Sequence, residues 1–243
     1  MCLKRKQKII ENYDEFIVNF VDNVFTFYNS VNNSLIVNGK KINLRNEEIK
    51  KASLDYDASY YFSFFSAISE YRESLKQNLA TSEINILLQS SGQGFTIESR
   101  IKNINSIFSK IYQYINLKNE KGSVAINKCL NDLFGLRIIL NFNNFDELFN
   151  RLNYLAEQRN WKFKIINASK TEYKAIHLYI SKDNYSLPWE IQFWLAKDDV
   201  SNRNSHAKYK QSYTSWELSY SNKDLYEVCD NDWEISTLYI CMQ

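Results

Sequence analysis

Four apolar runs between residues 136 and 194 read as strands rather than helices: Leu136–Phe142, Trp161–Ile166, Ala175–Ser181 and Pro188–Trp194. They are rich in Ile, Phe, Tyr and Trp, side chains suited to a pleated surface. Such a chain is expected to build a sheet. Arg137, His177 and Glu190 lie inside three of these runs. A charge inside an apolar strand is costly unless it has a partner or lines an open site.

Ahead of these runs the apolar spacing is three and four, as a helix requires. Ile9, Ile10, Tyr13, Phe16, Ile17, Phe20, Val21 and Val24 predict a helix over residues 8–28. Asn38-Gly39, between short apolar runs, predicts a hairpin over 34–44. Residues 46–80 read as helical, with an aromatic band from Tyr56 to Phe65. Ser90–Gly94 reads as a loop. Helices follow over 98–115 and 123–131, then over 144–158 between the first two strands, and over 199–217 after the last. With only 5 Gly and 1 Pro there are few breakers, so the elements should be long. Helices, then strands and helices, then a helix argue an α+β fold. Three segments result: an N-terminal helical region at 1–98, a core at 99–217 and an acidic end at 218–243.

Composition narrows the function. Thirty basic against 28 acidic residues leave a net charge of +2, so nucleic acid cannot be held by bulk charge alone. Two histidines, His177 and His206, are too few for a His-rich metal site. Cys2, Cys129, Cys229 and Cys241 form no C-x-x-C pair, which supports neither a zinc knuckle nor a disulfide framework. The basic start lacks an apolar stretch after it, and no segment nears the ~20 apolar residues a membrane span needs. A cytoplasmic protein with no membrane association is expected.

Four further patterns carry chemistry. On a helix over 98–115, Lys102, Ser106 and Lys110 would form one stripe beside Arg100, with Ile101, Ile104, Phe108 and Ile111 on the packed side. A planar guanidinium, two ammonium groups and a hydroxyl suit a polyphosphate; the plain alternative is a solvated helix face. Asp132 precedes the strand that holds Arg137. An acid beside a phosphate site suits Mg²⁺, which takes one or two carboxylates plus phosphate oxygens; the alternative is a helix cap. Alternation puts Tyr173, Ala175, His177 and Tyr179 on one face, where a Tyr can stack on a base and a His can hydrogen-bond. Glu190, Gln192 and Trp194 share another face, and so acidic a residue there implies a metal, a cation or a substrate hydroxyl.

In order and spacing, R-x-K-x-x-x-S-x-x-x-K from Arg100, D-x-x-G-x-R from Asp132, Y-x-x-x-H from Tyr173, E-x-Q from Glu190 and H-x-x-Y-K from His206 to Lys210 resemble the synthetase domain of the RelA/SpoT family. The resemblance spans residues 99–210. It implies a nucleotidyltransferase-like mixed sheet flanked by helices. It also implies a pyrophosphokinase that moves the β,γ-pyrophosphate of ATP to a ribose 3′-hydroxyl with Mg²⁺ as cofactor. Carried over by position, Arg100, Lys102, Ser106 and Lys110 hold the ATP phosphates, and Asp132 binds Mg²⁺. Glu190 binds Mg²⁺ or draws the proton from the attacking hydroxyl. Tyr173 and His177 take the acceptor, and Arg137 and Gln192 support the site. No Walker-type loop is present, so this is not a P-loop enzyme.

The chain departs from the family pattern at the acceptor side. Thr171-Glu172-Tyr173 replaces the usual N-G-Y, and Phe193-Trp194-Leu195 replaces an Ile-Arg-Thr run. The stretches around Trp189 and His206 resemble the toxic small alarmone synthetases of toxin–antitoxin and phage-defence modules. The acceptor then expected is the 3′-CCA end of tRNA, with a translation-inhibiting role and a protein antitoxin as partner. A small alarmone synthetase acting on GDP or GTP is the alternative, and an inactive nucleotide-binding module a third. Lys4, Arg5, Lys6 and Lys8, with Lys40-Lys41 and Lys50-Lys51, are candidates for a tRNA backbone contact.

Overall fold

A computed structural model describes residues 2–81 and 95–214 of the chain, and side chains over 13–80 and 95–208. Helix α1 runs Cys2–Ser30, longer at both ends than its apolar spacing predicts. Its Ile17, Phe20, Val21, Val24 and Tyr28 are buried. The hairpin is present, with β1 (Ile36–Val37) pairing β2 (Lys40–Lys41). Asn38 and Gly39 take φ of 48° and 71°, the left-handed pair a two-residue turn needs.

The single helix expected over 46–80 is broken. A 3₁₀ turn occupies Ile49–Ala52, and α2 begins only at Ala58 and runs to Thr81. The reason is local: the Asp57 carboxylate accepts the Tyr60 N–H at 3.1 Å and starts the helix there. The aromatic band also divides. Phe64 and Phe65 are buried, whereas Tyr56 and Phe62 face solvent.

A larger correction concerns residues 98–115. Phe95–Ile101 is a strand, β3, and the helix that follows, α3, starts only at Ile104; it runs to Tyr112 and continues as a π-turn over Gln113–Leu117. Asn103 caps α3 by accepting the Asn105 N–H at 2.8 Å. The buried face of α3 is Ile107, Ser109 and Ile111, while Phe108 is partly exposed and stacks on Phe65 at 4.2 Å. The helix expected at 123–131 shrinks to α4, Ile126–Cys129. Ser90–Gly94 lies outside the described residues.

The remaining elements follow the sequence reading to within two or three residues. They are β4 (Phe134–Leu140), α5 (Phe145–Gln158), β5 (Lys164–Asn167), β6 (Ile176–Ile180), β7 (Trp189–Leu195) and α6 (Asp199–Thr214). Asn144 caps α5, accepting from Asp146 and Glu147. The expectation of a mixed sheet flanked by helices holds. Five strands lie in the order β3-β4-β7-β6-β5, with β4 and β7 parallel and the other neighbours antiparallel. The acidic segment 218–243 lies outside the described residues.

The two faces of this sheet differ in kind. Leu136, Ile138 and Leu140 of β4, Ile191, Phe193 and Leu195 of β7 and Ile176, Leu178 and Ile180 of β6 join the main core with Leu148, Leu152 and Leu155 of α5. Alternation sends the intervening residues to the opposite face. That face holds a small apolar patch of Ile139, Ala175 and Trp194 with Tyr173 against it. The rest of it is charged.

Candidate active site

Strand register assembles the charged face in two rows. In the first, Arg100 lies opposite Gly135, Gly135 opposite Glu190, and Glu190 opposite Tyr179. In the second, Glu98, Arg137, Gln192 and His177 stand side by side in the same way. Arg100, Arg137, Glu190 and Gln192 are all buried, so the three charges and the amide must be answered within the protein.

The Arg100 side chain lies over Gly135, where a Cβ would meet its Nε at 3.4 Å and its Cγ at 3.6 Å, ordinary van der Waals contact. Arg100 Nη2 lies 3.6 Å from Asp132 and 4.0 Å from Glu190, so one guanidinium faces both carboxylates.

Asp132, just ahead of β4, collects the phosphate-type cations. Lys102 Nζ donates to it at 2.7 Å and Lys110 Nζ at 2.9 Å. Lys110 also donates to Asn131 at 3.1 Å. Burial pushes the Asp132 carboxyl upward, but Lys102, Lys110 and Arg100 outweigh it and hold the group well below the usual range. The stripe expected from one helix is thus built differently. Arg100 is on a strand, Lys102 in the turn after it, and Ser106 and Lys110 on α3. That turn is pinned by the Lys102 N–H bond to Leu133 O at 2.8 Å and by Arg72 of α2, whose Nε donates to Lys102 O at 2.9 Å. Ser106 lies half-buried on the first turn of α3.

Glu190 is gripped on both oxygens. Tyr179 donates to Oε1 at 2.9 Å, His177 Nδ1 lies 2.9 Å from the same oxygen, and Gln192 Nε2 donates to Oε2 at 2.7 Å. Burial favours the neutral acid, yet the His177 bond and charge and the Arg100 guanidinium prevail, and the carboxyl is held down at about 2. His177 Nε2 is hydrogen-bonded to the Tyr173 hydroxyl 3.0 Å away, the direction following the imidazole tautomer. Tyr173, His177 and Tyr179 therefore form a continuous wall beside Glu190. Burial raises the Tyr173 hydroxyl to about 12 and pushes Tyr179 up as well, so both stay protonated donors.

Arg137 is buried and engaged by three side chains. It donates to Glu98 at 2.9 Å and to Gln192 Oε1 at 3.3 and 3.2 Å, and its guanidinium stacks 3.5 Å over Trp194. Glu98 also pairs with Arg203 of α6. His206, one turn further along α6, sits against the cluster. Burial first, then Arg100, Arg137 and Lys102, lower it to about 4, so it is a neutral imidazole at neutral pH.

The structure brings together Arg100, Lys102, Lys110, Asp132, Glu190, Arg137, Gln192, Tyr173 and His177. Sequence reasoning missed Glu98, Tyr179, Asn202 and Arg203. Glu98 was legible as an acid flanked by Ile97 and Ser99, had that stretch been read as a strand. Tyr179 was placed on the correct face without a role. The basic clusters fare less well. Lys50 and Lys51 are paired with Glu48 and Glu47, whereas Lys40 and Lys41 are exposed on the hairpin. The side chains of residues 4–8, and of Tyr209 and Lys210, lie outside those described.

The donor set fits a hard divalent ion such as Mg²⁺. Asp132 and Glu190 approach the same guanidinium, and oxygen ligands of this type suit Mg²⁺ completed by phosphate oxygens and water. Among the described residues no group of three or more His, Cys, Asp or Glu gathers as a self-contained metal site. No helix among them is long and apolar enough to cross a membrane.

Among solved structures, small alarmone synthetase 1 from Bacillus subtilis bound to its product pppGpp is 16% identical, covering 65% of this chain and 86% of its own, at a TM-score of 0.35. Small alarmone synthetase 2 from Bacillus subtilis is 17% identical, over 67% and 84%, at a TM-score of 0.34. No curated protein matches the chain. The family model described as the region found in RelA / SpoT proteins matches residues 99–214. That span holds the charged face from Arg100 to His206, and over it the chain is similar to the region found in RelA / SpoT proteins.

Proposed function

We propose that the chain is an ATP-dependent pyrophosphotransferase, with the 3′-CCA end of tRNA as acceptor and a translation-inhibiting toxin as its biological role. The observation that carries the reaction type is the cluster of Arg100, Lys102 and Lys110 around Asp132, with Glu190 across the same guanidinium. Phosphoryl-type transfer needs positioning and charge neutralisation more than covalent chemistry, and this cluster offers both.

Arg100, Lys102 and Lys110 would bind the polyphosphate, with Ser106 at the start of α3 as a further donor. Asp132 and Glu190 would hold Mg²⁺, which when bound neutralises phosphate charge and orients the transferred group. A carboxyl held at about 2 is a weak proton acceptor, so its ligand role is favoured over the role of base. Tyr173 would stack on the acceptor base, with His177 fixing its hydroxyl. Arg137 and Gln192 keep Glu190 oriented. The aromatic wall of Tyr173, His177 and Tyr179 favours a nucleoside end, and the exposed Glu172–Lys208 pair beside it adds no net charge for a free polyphosphate. A protein antitoxin would supply control.

The second reading is a small alarmone synthetase that uses GDP or GTP, and the match of residues 99–214 to the RelA / SpoT region favours it. One incubation separates the two. Purified protein, Mg²⁺ and γ-labelled ATP are offered deacylated tRNA in one tube and GDP, GTP or ATP in others. Label on tRNA, abolished by oxidising the 3′-terminal ribose, supports the first reading. Label in a new small nucleotide alone supports the second. Silence from folded protein rejects both in favour of a binding module.

A further inference from the structure

Tyr173 sits at an awkward point of the chain. It follows the tight turn that joins β5 to β6, bridged to Lys170 by a Lys170 N–H bond of 2.7 Å to Tyr173 O. The regular ladder of β6 starts only at Ile176, and the last bond before it is Ala168 N–H to Ala175 O at 2.9 Å. Residue 174 falls between the bridge and the ladder. Its backbone N–H and C=O would need water or another partner.

Asn202 of α6 supplies both. Its Oδ1 accepts the Lys174 N–H at 2.8 Å, and its Nδ2 donates to Lys174 O at 2.9 Å. The side-chain amide thus imitates a neighbouring strand, and Asn202 has no exposed surface. The next residue, Arg203, pairs with Glu98 of β3. One turn of α6 therefore ties the segment carrying Tyr173 to the strand carrying Arg100.

We propose that Asn202 is a positioning residue for the acceptor: its amide clasps the backbone of residue 174 and thereby sets the height and angle of the Tyr173 ring over the site. The proposal rests on the acceptor-stacking reading of Tyr173. A ring misplaced by about 1 Å sacrifices transfer efficiency well out of proportion to the bonds lost. An amide offering one acceptor and one donor side by side matches a peptide group, and Asn204, the other asparagine of α6, is exposed.

The test is a double-mutant cycle in the full chain with N202A, Y173A and the pair, using Mg²⁺-ATP as donor and deacylated tRNA or GDP as acceptor. N202A is expected to raise the acceptor KM about tenfold, leaving the ATP KM within about twofold. In the Y173A background the same change should have no further effect on the acceptor KM, since Asn202 acts through that ring. Hydrogen exchange at the Lys174 amide should quicken in N202A. Equal rises in both KM values, or full additivity with Y173A, would show a merely structural residue and overturn the proposal. Unchanged exchange at residue 174 overturns the clasp itself, whatever the kinetics. If N202A does not fold, N202D retains the accepted bond and loses the donated one, and the same cycle is run with it. A wild-type protein that transfers nothing to either acceptor fails the pyrophosphotransferase reading instead, with the exchange measurement still deciding the clasp.

Discussion

The clearest energetic consequence of the site concerns His206. Arg100, Arg137 and Lys102 act on its imidazole through their charge, Glu190 opposes them, and burial is the largest influence on it. Together they lower its pKa from 6.5 to about 4. Between those values the unfolded chain binds a proton that the folded chain refuses, so stability falls as pH falls. From pH 7 to pH 5 the loss from this one group is about 2 kcal/mol, and it approaches about 3 kcal/mol below pH 4. His206→Gln keeps a neutral polar side chain and removes the titration. Urea unfolding of both proteins at pH 7 and pH 5 isolates the effect, because contributions from other groups are common to both and cancel in the difference. The Glu190 window, from 4.5 down to about 2, lies lower still. The wild type should lose about 2 kcal/mol more than H206Q between the two pH values. Parallel losses in the two proteins would refute the placement of His206 against the cations.

Three other outcomes are expected. D132N and E190Q should each lower transfer by about 10³-fold or more at neutral pH, since each removes a carboxylate from the charge cluster; near-normal turnover by either would misassign the site. Y173A should lose acceptor use while ATP binding by titration calorimetry persists, and equal loss of ATP affinity would remove the stacking role. R137M should destabilise the fold by about 3 kcal/mol in urea midpoints, because Glu98 stays buried with Arg203 alone and Gln192 loses its cation; an unchanged midpoint would mean the pair contributes nothing net.

The sequence revealed the interior of the sheet and the identity of the charges, but not the first strand. β4, β6 and β7 announced themselves by alternating or unbroken apolar runs flanked by polar turns. β3 did not, because Thr96, Glu98 and Arg100 are polar and sit in what spacing alone reads as the start of a helix. Only the cross-strand partner Arg137 gives Glu98 a reason to lie in a strand, and that partner is 39 residues away. The lysine stripe shows the same limit. Lys102 and Lys110 do reach one point, but through a turn and a capped helix that converge on Asp132, not through a shared helical face. Asn202 is a third case. A lone Asn in a polar helix looks like surface, and its burial follows only from the unsatisfied peptide group it meets.

A face this charged, on strands this buried, is tolerable only if its charges neutralise one another. Arg137 is answered by Glu98 and Gln192, and Glu98 by a second guanidinium from α6. Glu190 is held by Tyr179, His177 and Gln192, with Arg100 4.0 Å away. Asp132 alone serves three cations at once. Under the proposed reading this uneven distribution is functional. Polyphosphate oxygens can replace Asp132 as the counter-charge of Lys102 and Lys110, which releases the carboxylate toward Glu190 and the arriving cation. The second row has no such slack, since each guanidinium nitrogen of Arg137 and both oxygens of Glu98 already have partners. Under that reading the sheet face would divide by row into a part that exchanges its ion pairs for substrate and a part that holds still while it does so.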